Sequence, residues 1–244
     1  MHHLFRSAQR QQLLEATAAA GITHFDTAPY YGYGLAEADL GVFLRGRRAE
    51  FTVTTKVGLY PWGVPSAHAV SVWSRKALGK LVPVVSAPVV NWQVSRARVS
   101  LRRSLRRLRT DYVDFVLLHE PDAGLMETDE FCRWIESEHA RGTVRSWGVG
   151  GRAERVAPFA LANHPLSRVV QTQDSLDQRQ ADFMFGCGRS LQFTYGYLAS
   201  AHQGGRAETP ERVVREALQR NRTGSILVST RRVERIIELA KEAD

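Results

Sequence analysis

The sequence predicts an α/β protein of the TIM-type (β/α)8 barrel class, incomplete at its first strand, and three observations predict it. Short β-like runs alternate with helical patterns along almost all of the 244 residues, the signature of a parallel sheet or barrel. Polar residues suited to chemistry close several of those runs, on the face where barrels build their sites. With 43% hydrophobic residues, the chain can bury one large core, so residues 1–244 are expected to form one domain.

The first expected element is a helix over about 7–20. Strands then follow at 24–28, 51–57, 113–119, 144–149, 169–173, 191–195 and 225–229, each a short apolar or β-branched run. Helices are expected between and after them, at about 35–45, 93–109, 127–141, 152–163, 177–186, 210–221 and 231–242. In the 93–109 segment, Val99, Leu101, Leu105 and Leu108 recur at helical spacing, which gives one apolar face and turns the arginines to water. A regular barrel opens on a strand, and residues 1–6 are too few and too polar to supply one. The expectation is therefore a gap between the first and last strands, covered by a neighbouring subunit or leaving that side mobile. The stretch from about 59 to 92 carries Pro61, Pro65, Pro83 and Pro88 with Tyr60, Trp62, Trp73 and Trp92. It is longer than an ordinary βα connection and reads as a lid or binding loop.

The formal charge of +8 first suggests an anionic partner. Lysine occurs only at 56, 76, 80 and 241, however, so the charge is arginine spread over a solvated surface, and no nucleic-acid partner is expected. No stretch has the roughly 20 apolar residues of a membrane span, and the first residues lack the apolar core of a signal peptide, so the expected location is cytoplasmic without a membrane partner. Cys132 and Cys187 are too few for a disulfide framework or a thiolate metal site and are expected to be reduced thiols, with no metal bound. A homo-oligomer is left open.

The segment GITHFDTAPYYGYGLAEADLGVFL, residues 21–44, resembles the signature of the aldo-keto reductases, in which a strand ends in Asp-Thr-Ala and a Tyr-Gly follows. TTKVG at 54–58 resembles the family's lysine strand and LLHEP at 117–121 its histidine strand, and the likeness is greatest to members acting on sugars. The resemblance implies a catalytic set of Asp26, Tyr31, Lys56 and His119. The residue types suit that role on their own chemistry. A carbonyl that accepts hydride needs a proton, which a positioned phenol supplies if its pKa near about 10 is brought down. Lys56 would do that, Asp26 would keep Lys56 charged, and His119 would orient the carbonyl oxygen.

The resemblance also implies a nicotinamide cofactor, NADP(H) in preference to NAD(H). Gly150 and Gly151 of GVGG stand where the family usually has a serine and an asparagine that hold the carboxamide, and here offer only backbone. Gln171 matches the carboxamide-contacting glutamine, and Tyr195 the tyrosine that stacks on the nicotinamide ring. Ser229, Thr230, Arg231 and Arg235 match the helix start that grips the adenosine phosphate, where free N–H groups and a positive dipole end favour an anion. Tyr30, Tyr60, Trp62 and Trp92 are candidates for the substrate face. The implied function is interconversion of a carbonyl (aldehyde, ketone or sugar lactol/lactone) and its alcohol. The alternative is a catalytically impaired nucleotide-binding barrel acting as a sensor or subunit.

Overall fold

The computed structural model describes Leu4 and residues 6–63, 87–203 and 208–243. In chain order its elements are α1 (Ser7–Ala19), β1 (His24–Asp26), α2 (Leu35–Phe43), β2 (Thr52–Val57), β3 (Leu59–Pro61), β4 (Pro88–Val90), α3 (Val94–Leu108), β5 (Val113–His119), α4 (Thr128–Ala140) and β6 (Val144–Gly151). Then come α5 (Ala153–Leu161), β7 (Val169–Gln173), α6 (Phe183–Gly186), β8 (Phe193–Tyr195), α7 (Tyr197–Gln203), α8 (Pro210–Arg220), β9 (Ser225–Leu227) and α9 (Val233–Ala240). Seven strands pair in the order β1-β2-β5-β6-β7-β8-β9, all in parallel. The expected strands are thus all present. The expected helix at 177–186 shrinks to a 3-10 turn, Gln180–Asp182, followed by α6.

Three elements were not expected. Leu59–Pro61 and Pro88–Val90 pair antiparallel as a hairpin at the two ends of the long aromatic loop. Residues 64–86 of that loop, with Pro65, Trp73 and Pro83, lie outside the described residues. Helix α7 follows Gly196 directly, between the expected strand at 191–195 and the expected helix at 210–221.

Alternation along each strand sorts its side chains to two faces. Phe25, Val53, Val116, Val149 and Val170 face the helices, where they join a core with Phe43, Leu101, Phe131, Trp134, Val156 and Phe159. The opposite face carries His24, Asp26, Lys56, Phe115, Gln171, Phe193 and Tyr195 into the barrel interior.

Among the described residues β1 pairs only with β2 and β9 only with β8, so the barrel is open between them, as the element count implied. The chain itself makes contacts across this opening. Outside, α1 lies against α9. Inside, the His24 ring stacks on Phe193 at 4.8 Å, and Phe115 meets both rings edge-on at 5.9 and 5.3 Å. The lower interior is thereby filled with aromatic side chains.

Candidate active site

Parallel register brings the strand ends together. Asp26 pairs with Thr54, Lys56 with Leu117, His119 with Gly150, Gly150 with Gln171, and Gln173 with Tyr195. The chain leaves β1 and turns back through a 3-10 segment, Tyr31–Gly34, in which Gly32 (φ 60°), Tyr33 (φ 55°) and Gly34 (φ 95°) are all left-handed. Glycine takes that conformation without a Cβ penalty, which is why APYYGYG can reverse so sharply. The turn leaves the Tyr31 hydroxyl beside Lys56 and buries Tyr33 against Leu35.

Lys56 is the hub of the site and is 2% exposed. Its ammonium donates to both Asp26 carboxylate oxygens at 2.6 and 2.5 Å, to the Thr27 carbonyl at 3.3 Å and to the Tyr31 hydroxyl at 3.4 Å. The Tyr31 and His119 rings meet edge-on with centroids 5.8 Å apart. His119 Nδ1 is buried with no hydrogen-bond partner among the described residues. A buried polar atom left so is costly unless something else fills its valence. The four residues of the implied catalytic set are therefore assembled.

Burial alone would lower the Lys56 pKa, but Asp26 and then Tyr31 outweigh it and hold the ammonium above its ordinary pKa. His119 goes the other way: desolvation, helped by the Lys56 charge, pushes it down to about 3, so the ring is neutral at physiological pH. Tyr31 corrects an expectation. Lys56 does pull its phenol down, yet burial is the larger effect and Asp26 and Glu120 add to it, so the phenol sits above its ordinary value. It is a held proton in this site.

On the cofactor side Gln171 is buried, and its amide nitrogen donates to Asp26 Oδ1 at 2.8 Å. Its oxygen and its second amide N–H are left for other partners. Tyr195 stands at the same mouth, its phenol raised by burial and by Glu120, Tyr31 and Asp26. A Cβ at Gly150 would lie 3.1 Å from the Gln171 amide oxygen, and one at Gly151 would lie 2.7 Å from the Glu120 carboxylate. The room that side chains would take at GVGG is thus already filled.

At the far end, the expected helix start at 231 moves to Val233, with Arg232 as its N-cap. Ser229, Thr230 and Arg231 belong to the loop before it, and the Thr230 hydroxyl accepts the Arg232 N–H at 3.2 Å. Ser229, Thr230 and Arg235 line a cavity of about 270 Å³ with Leu198, His202, Glu208 and Pro210; Arg231 does not line it. Arg235 is already engaged, by Glu211 at 3.1 Å and Glu238 at 3.4 Å.

The substrate-side aromatics divide. Tyr30 is half-buried beside Tyr33, and Trp62 is exposed. Tyr60 and Trp92 are core residues instead. Trp92 lies where a Cβ at Gly58 would be and packs on Phe131, while Tyr60 is buried under Arg96, its phenol pushed up to about 12 by desolvation. The β3–β4 hairpin folds this end of the aromatic loop inward, a pairing that a Pro-rich stretch gives little sign of.

The sequence reading missed Glu120. Its signal was available: an acidic residue directly after the histidine of LLHEP, and two glycines side by side at 150 and 151 to receive it. Among the described residues no three His, Cys, Asp or Glu side chains cluster as a metal site, and no helix is long and apolar enough to cross a membrane.

A barrel whose strand ends gather an Asp–Lys–Tyr–His set defines the class, and comparison agrees. The sequence model of the Aldo/keto reductase family matches residues 4–176, and the chain belongs to that family. It is 31% identical over 179 residues to a D-threo-aldose 1-dehydrogenase of a Pseudomonas species, covering 70% of this chain and 51% of that protein. It is 33% identical over 171 residues to a 6-dehydroglucose reductase of Agrobacterium fabrum, covering 68% of this chain and 51% of that one. The chain spans about half the length of these curated relatives. The fold also matches the crystal structure of an aldo-keto reductase from Klebsiella pneumoniae in complex with NADPH. The TM-score is 0.65 at 19% identity, with 97% of this chain and 79% of that one covered.

Proposed function

We propose that the chain is an NADP(H)-dependent oxidoreductase that interconverts a carbonyl and its alcohol, with Tyr31 as the general acid/base. One observation carries the reading: a buried ammonium joins Asp26 to the Tyr31 hydroxyl beside a histidine nitrogen that lacks a partner. Such an arrangement is costly to bury and has an evident use in moving a proton at the barrel mouth.

The residues present fit a dinucleotide. Ser229, Thr230 and Arg235 border a cavity able to take a phosphate, and Gln171 and Tyr195 border the mouth near Tyr31. The glycines at 150 and 151 offer backbone alone. When bound, the cofactor supplies or accepts the hydride. The protein handles the proton. In reduction Tyr31, its proton held by burial, donates to the developing alkoxide, and Lys56 stabilises the phenolate left behind. Neutral His119 orients the carbonyl oxygen. In oxidation Tyr31 must first lose its proton, so that direction gains with rising pH.

The names of the two curated relatives support sugars or their lactols and lactones as substrates, and the NADPH-bound neighbour supports NADP(H). Absorbance at 340 nm tests the reading, with NADPH against aldehydes and ketosugars and NADP⁺ against aldoses. Turnover is expected in at least one direction. Tight NADPH binding without turnover of any substrate would replace it with the second reading, a nucleotide-binding sensor or subunit, which the open β1–β9 edges favour.

A further inference from the structure

Glu120 follows His119 at the end of β5 with φ 54°, a left-handed conformation that a non-glycine residue adopts at a cost. Three contacts hold it there. Its N–H donates to the Gly150 carbonyl at 2.7 Å. Its two carboxylate oxygens accept the Arg152 N–H, the N-cap of α5, at 3.1 and 3.2 Å. Gly151 leaves it a seat, since a Cβ there would come within 2.7 Å of the carboxylate carbon and one oxygen.

The result is a fixed carboxylate at the rim of the site, 23% exposed and one residue from the unpartnered His119 nitrogen. The counter-charges around it are largely taken up elsewhere. Arg152 lies 3.7 Å away but is about half exposed and shared with Glu154 at 3.1 Å, and Arg155 is bound to Asp122 at 2.7 Å. Glu120 acts on both site phenols, and at Tyr195 its effect exceeds that of Arg152.

We propose that Glu120 is a specificity-determining residue that filters substrates by charge, favouring those that bring neutral hydroxyl donors to the rim and disfavouring those that bring a carboxylate or phosphate. This rests on the oxidoreductase reading above. A carboxylate facing a second anion at close range in a partly dehydrated mouth costs about a factor of ten in affinity, whereas a hydroxyl donates to it.

The test compares a neutral aldose with the uronate of the same stereochemistry, using the intact chain and its Glu120→Gln and Gly151→Ala variants. Two readouts are taken: the ratio of kcat/KM values, and the ratio of affinities by calorimetry for the matching neutral polyol and aldonate in the presence of NADPH. The parent is expected to favour the neutral partner by about tenfold or more at low salt, less at high salt. Glu120→Gln keeps an acceptor for the Arg152 N–H and should cut the ratio about tenfold. Gly151→Ala, which pushes the carboxylate off its seat without removing it, should shift the ratio too and serves if the glutamine variant fails to fold. A parent without preference, or variants within twofold of its ratio, overturns the proposal. The absence of any affinity for both the polyol and the aldonate also overturns it. If binding discriminates but neither sugar turns over, the oxidoreductase reading fails while the charge filter stands.

Discussion

At the catalytic end, Asp26, Lys56 and Gln171 sit on three strands of one sheet, whose curvature brings Asp26 within 2.6 Å of Lys56 and 2.8 Å of Gln171. At the far end, Ser229 and Thr230 stand on a loop past the last strand, and Arg235 on the first turn of a helix, held by Glu211 and Glu238. The first set is fixed by backbone ladders that a side chain cannot rearrange. The second depends on a competition between carboxylates already present and a phosphate that would have to replace them. Geometry built on strands is rigid and legible, and geometry built on a loop and a helix start is adjustable.

Replacing the hub should break the catalytic end most. Lys56→Met leaves Asp26 as a mostly buried anion without its cation. It should lower kcat/KM at least a hundredfold and cost about 3–5 kcal/mol in urea unfolding. A variant that unfolds with the parent's midpoint would show that the pair contributes nothing to the fold.

The far end should respond more gently. Arg235→Ala should weaken NADPH by about tenfold and NADH by less, because only the former carries a 2′-phosphate for the guanidinium. Glu211→Gln sharpens the contrast by releasing Arg235 from its 3.1 Å partner, and should tighten NADPH several-fold. Equal changes for both cofactors would remove Arg235 from phosphate recognition.

The smallest effect expected is on acid stability. The unfolded His119 titrates near 6.5 and the folded one at about 3. Above 6.5 both states are neutral and its contribution is fully present. As the pH falls from 6.5 towards 3, the unfolded chain takes up a proton that the folded site refuses, and stability is lost. His24, also lowered by burial, acts in the same direction. His119→Asn should therefore flatten, without abolishing, the fall in Tm between pH 6.5 and 4, by about a few degrees. An unchanged slope would mean that His119 is not buried neutral.

Which parts were legible follows from the same contrast. Residues 113–119 and 169–173 form strands with the expected bounds, because a continuous apolar run ending in a polar side chain has one reading at the mouth of a barrel. Asp26, Lys56 and His119 inherit that clarity. Tyr60 and Trp92 do not. Whether a loop aromatic faces ligand or core depends on the β3–β4 pairing and on the space above Gly58, neither of which is encoded in periodicity. The raised Tyr31 phenol was hidden for a related reason. The sequence shows the lysine that lowers it but not the depth of burial that outweighs the lysine. Glu120 escaped because its role needs Gly151, thirty-one residues away, to be empty of a side chain.

The most direct test of the central claim is a single-turnover experiment in which the NADPH complex is mixed with an aldehyde or aldose and followed at 340 nm, in the parent and in Tyr31→Phe. The assembly of Tyr31 on Lys56 predicts a transient in the parent. In the variant it predicts a rate at least about a hundredfold lower with little change in NADPH affinity. Equal rates in the two proteins would contradict it.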